Sequence, residues 1–533
     1  MIEKKESDST NRCALRFSLG TFCSRISGAL REMTMAYVLG TTSGAASFLI
    51  SFRFAYLLRR IFGEGALVNG FIPYYERLKA QDQKAAIDFF KDLSATLGIV
   101  LLGIIGVLEL GCLGALSLGS LGGDSREILH LTMLSLPGLL FVALFALHSG
   151  FLQCEGRFFL TGVAPAVFNI AWIGTLWLFR NKEIHQITTY LAIAIDLAFL
   201  LQFLLILPST LKKLQTYRLF TGIKIGSLFT KDIRAMIRAI SYSIIGVSAM
   251  QINSFIDVLF AKIAHPSGPA HLTYAIRLEQ LPLALFGLSI VTAFFPVFSR
   301  WIEENQKEQA ADLLQKTTSK LIVFLLPSTA LLLLLATPLV DVLFGRGLFG
   351  KSSTEHTSLC LVGYAAGLLP SALALLFSQV FFAKKEFKVP MYLSLFVVGL
   401  NIVFNTLFVF FFALGSFSIA LATSLSSLVN AALLYHLIVK RYAFKAFAHT
   451  GFFLFKITSI TVLSSACSIY SNSFLHPIEM SHRKFLDQTV CFGVPCFFFL
   501  LSFFIFSVLF NLKEVTQFFP RFIQWRKKDT IPS

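Results

Sequence analysis

The sequence predicts an all-α polytopic membrane protein with about fourteen transmembrane helices, arranged as two parallel six-helix lobes plus two C-terminal helices. Three observations predict this fold class. The 533 residues are 55% hydrophobic and 14% charged, with a mean hydropathy of +0.72, which excludes an ordinary soluble protein. Apolar stretches of about 18 residues or more recur along nearly the whole chain. A sequence motif also repeats between its two halves.

The predicted spans are long apolar stretches separated by short polar turns. The first, about 13–39, differs from the others because it carries three arginines and a glutamate, which a bilayer interior disfavours. The polar residues before it lead into a stretch that is too long and too charged for a cleaved signal peptide, so we expect no secretory signal. The clearest spans are 93–118, 131–152, 186–208, 321–344, 391–413 and 489–510.

A sequence repeat indicates two similar halves. Residues 71–90 recur at 294–314, about 223 residues later, with a proline and an arginine at equivalent places. A second pair, LPGLL at 136 and LPSAL at 369, opens helices that each end at a short basic turn. Because an even number of spans separates the copies, both halves cross the membrane in the same direction. The predicted divisions are a cytoplasmic N-terminal segment (1–11), a first lobe (12–210), a basic cytoplasmic linker (211–229), a second lobe (230–440), a helix pair (441–510) and a basic cytoplasmic tail (511–533).

The net charge of +17 is distributed in a way that predicts membrane topology rather than nucleic-acid binding. Basic residues concentrate on alternate loops, which is the positive-inside pattern and predicts that both termini are cytoplasmic. The richest segments are 212–238 and 513–528. Attraction to anionic lipids accounts for these clusters, so we expect membrane lipids, and no nucleic acid, as partners.

Several patterns that resemble catalytic or cofactor sites are not expected to act as such. GRGLFGKS (345–352) satisfies the phosphate-loop pattern, but it follows a membrane span and is predicted to face outside. The eight cysteines are scattered singly through apolar stretches and are interpreted as packing residues. We therefore expect no catalytic residue, no metal site and no cofactor, and we do not expect an enzyme.

The charged residues of the first span form a polar stripe. Ser24, Ser27 and Arg31 lie on one helical row. A second row, about 100° away on the helix, is formed by Arg25, Gly28 and Glu32. Such a stripe cannot face lipid, so we expect it to face protein or a water-filled cavity.

The second span is also charged. Arg53 and Arg60 are seven residues apart, and Arg59 lies beside them. Arg60 and Glu64 are four residues apart on one helical face, where a simple ion pair is the favoured interpretation. Gly63 and Gly65 predict a bend in this helix.

Cations exceed acids in the charged helices of the two halves. Asp257 and Arg277 lie roughly where the repeat places Glu32 and Arg53. Arginine presents a planar fork that binds phosphate oxygens in pairs, and an uncompensated cationic excess is costly unless an anion enters. We therefore expect a central site for an anionic, phosphorylated substrate. The set comprises Arg25, Arg31, Arg53, Arg59, Arg60 and Arg277, against Glu32, Glu64, Asp257 and Glu279.

Four segments resemble the MurJ (MviN) lipid II flippase family of bacterial cell-wall synthesis: SRISGALRE, FLISFRFAYLLRRIFGEGALVNGFIP, QINSFIDVLFA and YAIRLEQLPLALFGLSIVTAFFP. The resemblance implies a fourteen-helix exporter of the multidrug and oligosaccharidyl-lipid type. It implies that lipid II, an undecaprenyl-pyrophosphate-linked peptidoglycan precursor, moves from the inner to the outer leaflet of the bacterial inner membrane by alternating access. Cell-wall synthesis proteins are candidate partners.

The family's cavity arginines fall on Arg25, Arg31, Arg59 and Arg277, which the resemblance implies bind the pyrophosphate. As supporting or ion-coupling residues we expect Glu32, Arg53, Arg60, Glu64 and Asp257. A proton or a monovalent cation bound at Glu32 or Asp257 would reset the carrier. The predicted helix pair at about 449–510 resembles the family's groove for the prenyl tail.

The chain departs from the family pattern at three positions. Ala46 replaces a usual acid, Ala55 replaces a usual proline, and Gln280, beside Glu279, replaces a usual glutamate. Asp196, in the middle of the sixth span, belongs to no pattern that we identify.

Three other functions fit parts of the sequence. A related exporter of drugs or of other polyprenyl-linked glycans would share the fold. An intramembrane lipid-modifying enzyme would need a catalytic acid near a donor site, and would be favoured by longer loops outside the membrane. In a non-transporting scaffold, the charges would merely pair with one another.

Overall fold

The structure, a computed structural model, is helical in all of its regular segments among the described residues. It describes residues 26–62, 66–118, 121–157, 159–216, 230–444, 446–447, 451–475, 484–512 and 515. Contacts between α-carbons divide the chain into two compact units, Met1–Lys262 with Gly347–Phe349, and Ile263–Arg346 with Gly350–Ser533. The lobe boundaries at 210 and 230 remain predictions.

The first unit consists of nine helices in its described part. They are α1 (described over 26–39), α2 (Ser43–Phe62), α3 (Ala66–Gln81), α4 (Gln83–Ser117), α5 (Gly123–Ser135), α6 (Gly138–Cys154), α7 (Phe159–Phe179), α8 (Ile184–Thr216) and α9 (Lys231–Ala264), whose last two residues belong to the second unit. Capping side chains define some of the helix ends. Asp82, for example, caps α4 by accepting a hydrogen bond from the Lys84 backbone N–H at 2.8 Å.

The second unit continues with ten α-helices and two π-helical turns in its described part. The α-helices are α10 (Gly268–Pro282), α11 (Ser289–Glu303), α12 (Lys307–Leu334), α13 (Ala336–Phe344), α14 (Lys351–Ala365), α15 (Leu368–Ala383), α16 (Lys388–Thr406), α17 (Phe417–Tyr442), α18 (Gly451–Leu475) and α19 (Lys484–Leu509). The π-helical turns are Leu283–Leu288, after α10, and Leu407–Phe411, after α16.

Eleven helical segments of the described residues are long and apolar enough to cross a membrane. They correspond to predicted spans three to six and eight to fourteen. The other predicted spans are the first, second and seventh, which contain α1, α2 with α3, and α9. These three spans carry most of the charged candidate residues, and charge lowers the mean hydropathy on which span recognition depends. The predicted all-α, polytopic fold class is confirmed.

The two units repeat the same order of helix packing. In the first unit, α2 packs on α5, α3 on α4, and α8 on both α6 and α7. In the second unit, α10 packs on α14, α11 on α12, and α17 on both α15 and α16. The repeated segments 71–90 and 294–314 therefore occupy equivalent places, at α3–α4 and α11–α12.

Equivalent turns also end α6 and α15. Gly156 and Lys385 both adopt left-handed backbone conformations, with φ of 74° and 61°. In each turn, the next backbone N–H donates to the carbonyl five positions earlier, at 2.8 and 2.9 Å. This is the Schellman arrangement that closes a helix C-terminus. The helices opened by LPGLL and LPSAL therefore end at basic turns, as predicted.

An acidic residue in each of these turns pairs with the end of another helix of the same unit. Glu155, whose side chain is 3% exposed, accepts from Lys79 of α3 at 2.8 Å and from Lys213 of α8 at 3.2 Å. Glu386 pairs with Arg441 of α17 at 2.6 Å, and there both side chains are more exposed. In each unit, the acid of this turn therefore forms an ion pair with the last helix of the repeat, α8 in the first unit and α17 in the second.

The C-terminal helices α18 and α19 form a pair that packs on α12 and α13. The Ser468 hydroxyl donates to the Pro495 carbonyl at 2.9 Å, which joins the two helices. Their buried cluster comprises Ile322, Val323, Ile457, Ile460 and Leu512. Phenylalanines such as Phe452, Phe455 and Phe497 are exposed on the pair.

Candidate anion site in the first unit

Five aromatic side chains from α2, α7 and α8 form what we call the aromatic wall: Phe52, Tyr56, Phe168, Trp172 and Phe199. The Phe168 and Phe199 rings are stacked, with centroids 5.1 Å apart. The Phe52 and Trp172 rings meet edge to face at 5.1 Å. Because π faces carry negative charge, this wall is suited to hold cations.

Arg31 of α1 lies on one end of the wall. Its guanidinium carbon is 5.0 Å from the Trp172 ring centroid and 5.4 Å from that of Phe168. Nη1 donates to Oδ1 of Asn169 at 3.0 Å, and Nδ2 of Asn169 donates to the Ser27 hydroxyl at 2.8 Å. Asn169 therefore contacts both Ser27 and Arg31, which confirms that these two residues share a helical face.

Arg31 also pairs with its sequence neighbour. Its Nη2 is 2.5 Å from Oε1 of Glu32, and the two side chains are 14% and 11% exposed. This ion pair offsets part of the cationic surplus predicted for the first span. The Nε of Arg31 is buried and has no hydrogen-bond partner among the described residues. One donor of the guanidinium group is therefore available to a further acceptor.

Arg59 of α2 lies on the other end of the wall. Its guanidinium carbon is 5.4 Å from the Phe199 centroid and 5.5 Å from the Tyr56 centroid. Because Phe199 stacks on Phe168, the two arginines flank one continuous pair of rings. The structure thus brings Arg31 and Arg59, predicted from separate spans, to one aromatic surface.

Arg59 also lines a pocket within the first unit. Its space, including open solvent, is about 300 Å³. Most of the lining is apolar, so Arg59 is the group that gives the pocket its charge. The lining residues are Phe52, Ala55, Tyr56, Arg59, Ser135, Leu139, Val142, Ile195 and Phe199.

The other predicted residues of the second span are placed differently. Arg60 is exposed, and its Nη1 donates to the Tyr56 hydroxyl at 3.1 Å. Arg53 is half-buried on α2. Glu64, Gly63 and Gly65 lie outside the described residues, so the predicted Arg60–Glu64 pair and the bend remain predictions. Arg25 also lies outside them.

Asp257 is buried on α9 in the first unit, where it is 7% exposed. Nδ2 of Asn253, one helical turn earlier, is 3.4 Å from Oδ2 of Asp257. The same helix contacts α2 through the rings of Phe255 and Phe54, whose centroids are 5.5 Å apart. Asp257 therefore lies on a helix that makes an aromatic contact with the helix carrying Arg59.

Arg277 falls in the second unit, on α10, where it is exposed. Glu279 on the same helix is buried at 7% exposure, and Gln280 is exposed. Arg277 and Gln280 are therefore the accessible members of this segment.

The structure shows what surrounds two of the positions at which the chain departs from the family pattern. Ala46 is completely buried on α2, so a carboxylate at that position would need a buried partner. Ala55 lines the pocket beside Arg59. Replacing proline by alanine restores a backbone N–H to the α2 interior, where proline would kink the helix.

Asn169 and the aromatic wall were not predicted from the sequence. Asn169 is a buried amide in the otherwise apolar helix α7. A lone polar side chain in a predicted span was the available signal, because such residues need a partner inside the membrane.

GRGLFGKS is not built as a phosphate loop. Its residues Gly347–Phe349 pack in the first unit, where the Leu348 N–H donates to the Tyr37 carbonyl at 3.0 Å. Gly347 has a φ of 61°, and a Cβ there would overlap the Tyr37 carbonyl oxygen. Gly347 therefore permits a close backbone contact with α1.

The sequence matches known proteins over most of its length. A family model described as "Lipid II flippase MurJ" matches residues 35–485. A Chlamydia muridarum (strain MoPn / Nigg) protein named "Probable lipid II flippase MurJ" is 31% identical over 530 residues, covering 97% of this chain and 96% of that protein. A Vibrio cholerae serotype O1 protein of the same name is 30% identical over 449 residues, covering 82% and 84%.

Solved structures share the fold. A structure described as "Lipid II flippase MurJ, inward closed conformation" superposes with a TM-score of 0.71 at 22% identity, covering 93% of this chain and 99% of that one. An inward-facing MATE multidrug transporter of the MOP superfamily gives a TM-score of 0.64 at 17% identity, with coverage of 81% and 98%. The family match over most of the sequence confirms the predicted resemblance, and this multi-pass membrane protein belongs to the MurJ family of lipid II flippases.

Proposed function

We propose that this protein moves lipid II from the inner to the outer leaflet of the bacterial inner membrane by alternating access. One observation carries the proposal beyond family membership. Arg31 and Arg59 lie against one aromatic wall, beside a pocket that Arg59 lines. A pyrophosphate is the part of lipid II that such guanidinium groups recognise.

The aromatic wall supports anion binding by orienting the arginines. A guanidinium group stacked on a ring keeps its N–H groups in a plane parallel to the ring, so they point outward to acceptors. Asn169 and Glu32 fix Arg31 further. We therefore assign pyrophosphate binding to Arg25, Arg31, Arg59 and Arg277.

The prenyl tail needs an apolar surface in contact with lipid. Helices α18 and α19 pack together and expose Phe452, Phe455, Phe497 and Phe498. We propose that this pair guides the tail while the sugar-peptide headgroup crosses. Because no bond is made or broken in this process, the proposed role is transport and not catalysis.

Charge movement supplies a driving force for this transport. Moving one charge across the membrane is worth about 2.3 kcal/mol per 100 mV of membrane potential. A proton or monovalent cation bound at Glu32 or Asp257 would return the empty carrier, with Arg53, Arg60 and Glu64 in support. Both acids are buried on the first unit's charged helices, which favours such a role.

The proposed orientation in the membrane follows from the distribution of basic residues. We place both termini in the cytoplasm, because basic residues concentrate on alternate loops. Proteins of cell-wall synthesis are the proposed partners, since they supply lipid II and consume it.

Arginine substitutions test the proposal. Arg31→Ala removes hydrogen bonds from a charged donor, worth about 1.5 to 3 kcal/mol, so we expect about ten- to hundred-fold weaker lipid II binding. The lipid II affinity of Arg31→Lys should fall between those of the wild type and Arg31→Ala, because lysine keeps the charge but lacks the planar fork. Binding to the purified protein and rescue of cells depleted of their own flippase measure the effect.

Arg180→Ala is a matched control, because Arg180 also stacks on a tryptophan, 4.9 Å from the Trp177 ring, but is exposed outside the aromatic wall. It should leave binding unchanged. Equal losses in both variants, or loss of protein amount alone in Arg31→Ala, would contradict the proposed role and favour a scaffold with paired charges.

The likeness to a MATE transporter favours one alternative, an exporter of drugs or other polyprenyl-linked glycans. Reconstituted vesicles separate the two functions. Movement of a cationic drug without movement of lipid II would overturn our proposal.

A further inference from the structure

The fourth span is broken where it faces Asp196. Helix α5 ends at Ser135, and α6 begins at Gly138, after Pro137. The backbone N–H of Gly138 interacts with the carboxyl group of Asp196 on α8. A Cβ at position 138 would overlap Oδ1 of Asp196, so glycine permits this close approach.

The rest of the surroundings of Asp196 offer this carboxyl group little polar compensation. Its Oδ1 is inaccessible to solvent and has no hydrogen-bond partner among the described residues. Phe199, one turn along α8, lies against Gly138 on the same side. Ile195 and Phe199 line the pocket that contains Arg59.

Few charged groups face this position. Glu109 on α4 is the acid that interacts with Asp196 electrostatically, and it does so repulsively. Arg59 on α2 contacts the neighbouring Phe199 ring, with its guanidinium carbon 5.4 Å from the ring centroid. Helix α7 contains no acidic or basic residue, and α6 contains one histidine, His148, whose Nε2 is 3.0 Å from the Ser94 hydroxyl. The ionisable residues of α5 lie between Asp124 and His130, away from its broken end.

We propose that Asp196 is a proton-binding site, at which the carboxylate takes up one proton on a side-chain oxygen and becomes a neutral acid facing the break between α5 and α6. An ionised carboxylate with one backbone donor and an unpartnered oxygen is strongly disfavoured among apolar side chains, and a neutral acid is disfavoured much less. Burial with a single donor therefore favours the protonated form.

The same surroundings disfavour a metal cation. Hard cations bind several oxygen ligands at once. No group of three or more histidine, cysteine or acidic side chains in the described part of the chain is arranged to hold a metal ion. A proton needs one oxygen, which Asp196 supplies.

Proton uptake at this position would change the charge next to the candidate anion site. Phe199 lies against Gly138, which meets Asp196, and the Arg59 guanidinium carbon is 5.4 Å from the centroid of the same ring. Proton exchange at Asp196 would therefore occur beside the aromatic wall.

Infrared spectroscopy of the purified full-length protein tests the proposal. The C=O stretch of a protonated carboxylic acid is separate from the bands of carboxylates and shifts when H₂O is replaced by D₂O. At neutral pH we expect the wild-type spectrum to contain an acid band that is lost in Asp196→Asn. Asp88→Asn, which removes an exposed acid paired with Lys91 at 3.6 Å, should keep the band.

Identical spectra for the wild type and Asp196→Asn would overturn the proposal. If Asp196→Asn does not fold, Asp196→Glu should keep an acid band at a shifted frequency, and an unshifted spectrum would overturn it equally. Because this measurement requires no lipid II, its outcome is independent of the proposed transport function.

Discussion

At the scale of single residues, the candidate site is held by contacts between distant parts of the chain. The arginines were predictable because charges in apolar spans are costly and need a reason. Asn169 was not singled out, because its partners Ser27 and Arg31 are 142 and 138 residues away in sequence. The aromatic wall was not predicted either, since phenylalanine is common in membrane spans, where it usually serves only packing.

Asn169 gives the first residue-scale prediction. Asn169→Ala removes a hydrogen bond from the charged Arg31, worth about 1.5 kcal/mol or more, so lipid II transport should fall about ten-fold at an unchanged amount of protein. Transport into vesicles, normalised to protein content, measures the change.

Thr175→Ala on the same helix is the control. The Thr175 hydroxyl bonds only the Ala171 carbonyl of its own helix among the contacts described, at 2.8 Å. Full activity of Asn169→Ala would show that Arg31 does not depend on this amide.

Gly347 gives a second residue-scale prediction. Gly347→Ala places a side chain in a left-handed conformation and against the Tyr37 carbonyl, so it should destabilise the protein by about 1 to 2 kcal/mol or more. Gly350→Ala in the same loop meets no atom within 4 Å and has a negative φ, so it should be tolerated. Thermal unfolding in detergent compares the two, and equal melting temperatures would contradict the structural account.

At the scale of elements, the repeat was largely predictable and its local geometry was not. Matching prolines and basic turns predicted two similar halves, and the paired turns at Gly156 and Lys385 match that prediction. The π-helical turns Leu283–Leu288 and Leu407–Phe411 were not predicted, because almost every residue around them is apolar. Periodicity cannot separate a wider helix from an ordinary one when there is no polar face to trace.

The ion pairs at these turns give an element-scale prediction. Glu155→Gln leaves Lys79 and Lys213 without their acid and should destabilise the first unit by about 3 kcal/mol, because Glu155 is almost fully buried. Glu386→Gln removes the more exposed equivalent and should cost about 1 kcal/mol or less.

Unfolding midpoints of the two variants, measured at two salt concentrations, check the comparison. The stability difference between the wild type and Glu386→Gln should shrink more at high salt than that between the wild type and Glu155→Gln, since exposed pairs are screened. A larger loss at Glu386 than at Glu155 would contradict the assigned burial.

At the scale of the whole molecule, composition predicted the class and the repeat predicted the plan of the two units. The membrane spans that carry charged residues were the hardest to predict. Three predicted spans, containing α1, α2 with α3, and α9, are not among the eleven segments of the described residues that hydropathy recognises. They were predicted as apolar stretches despite their charges, and the alternation of loop charge was consistent with fourteen spans.

Loop charge gives a whole-molecule prediction. Alkaline phosphatase, which is active only when exported, should be inactive when fused after residue 225 or at the C-terminus, because both follow basic segments. The enzyme should be active when inserted after Gly350, between α13 and α14. Activity at the C-terminus would reverse the assigned orientation.

One tryptophan of the aromatic wall offers a built-in optical reporter. The chain has four tryptophans, and Trp172 is 2% exposed with the Arg31 guanidinium group 5.0 Å from its ring. Indole emission responds to nearby charge, so an anion that draws Arg31 from the ring should change its intensity without any added dye. Substituting the other three by phenylalanine would leave a single intrinsic fluorophore positioned to follow occupancy in real time.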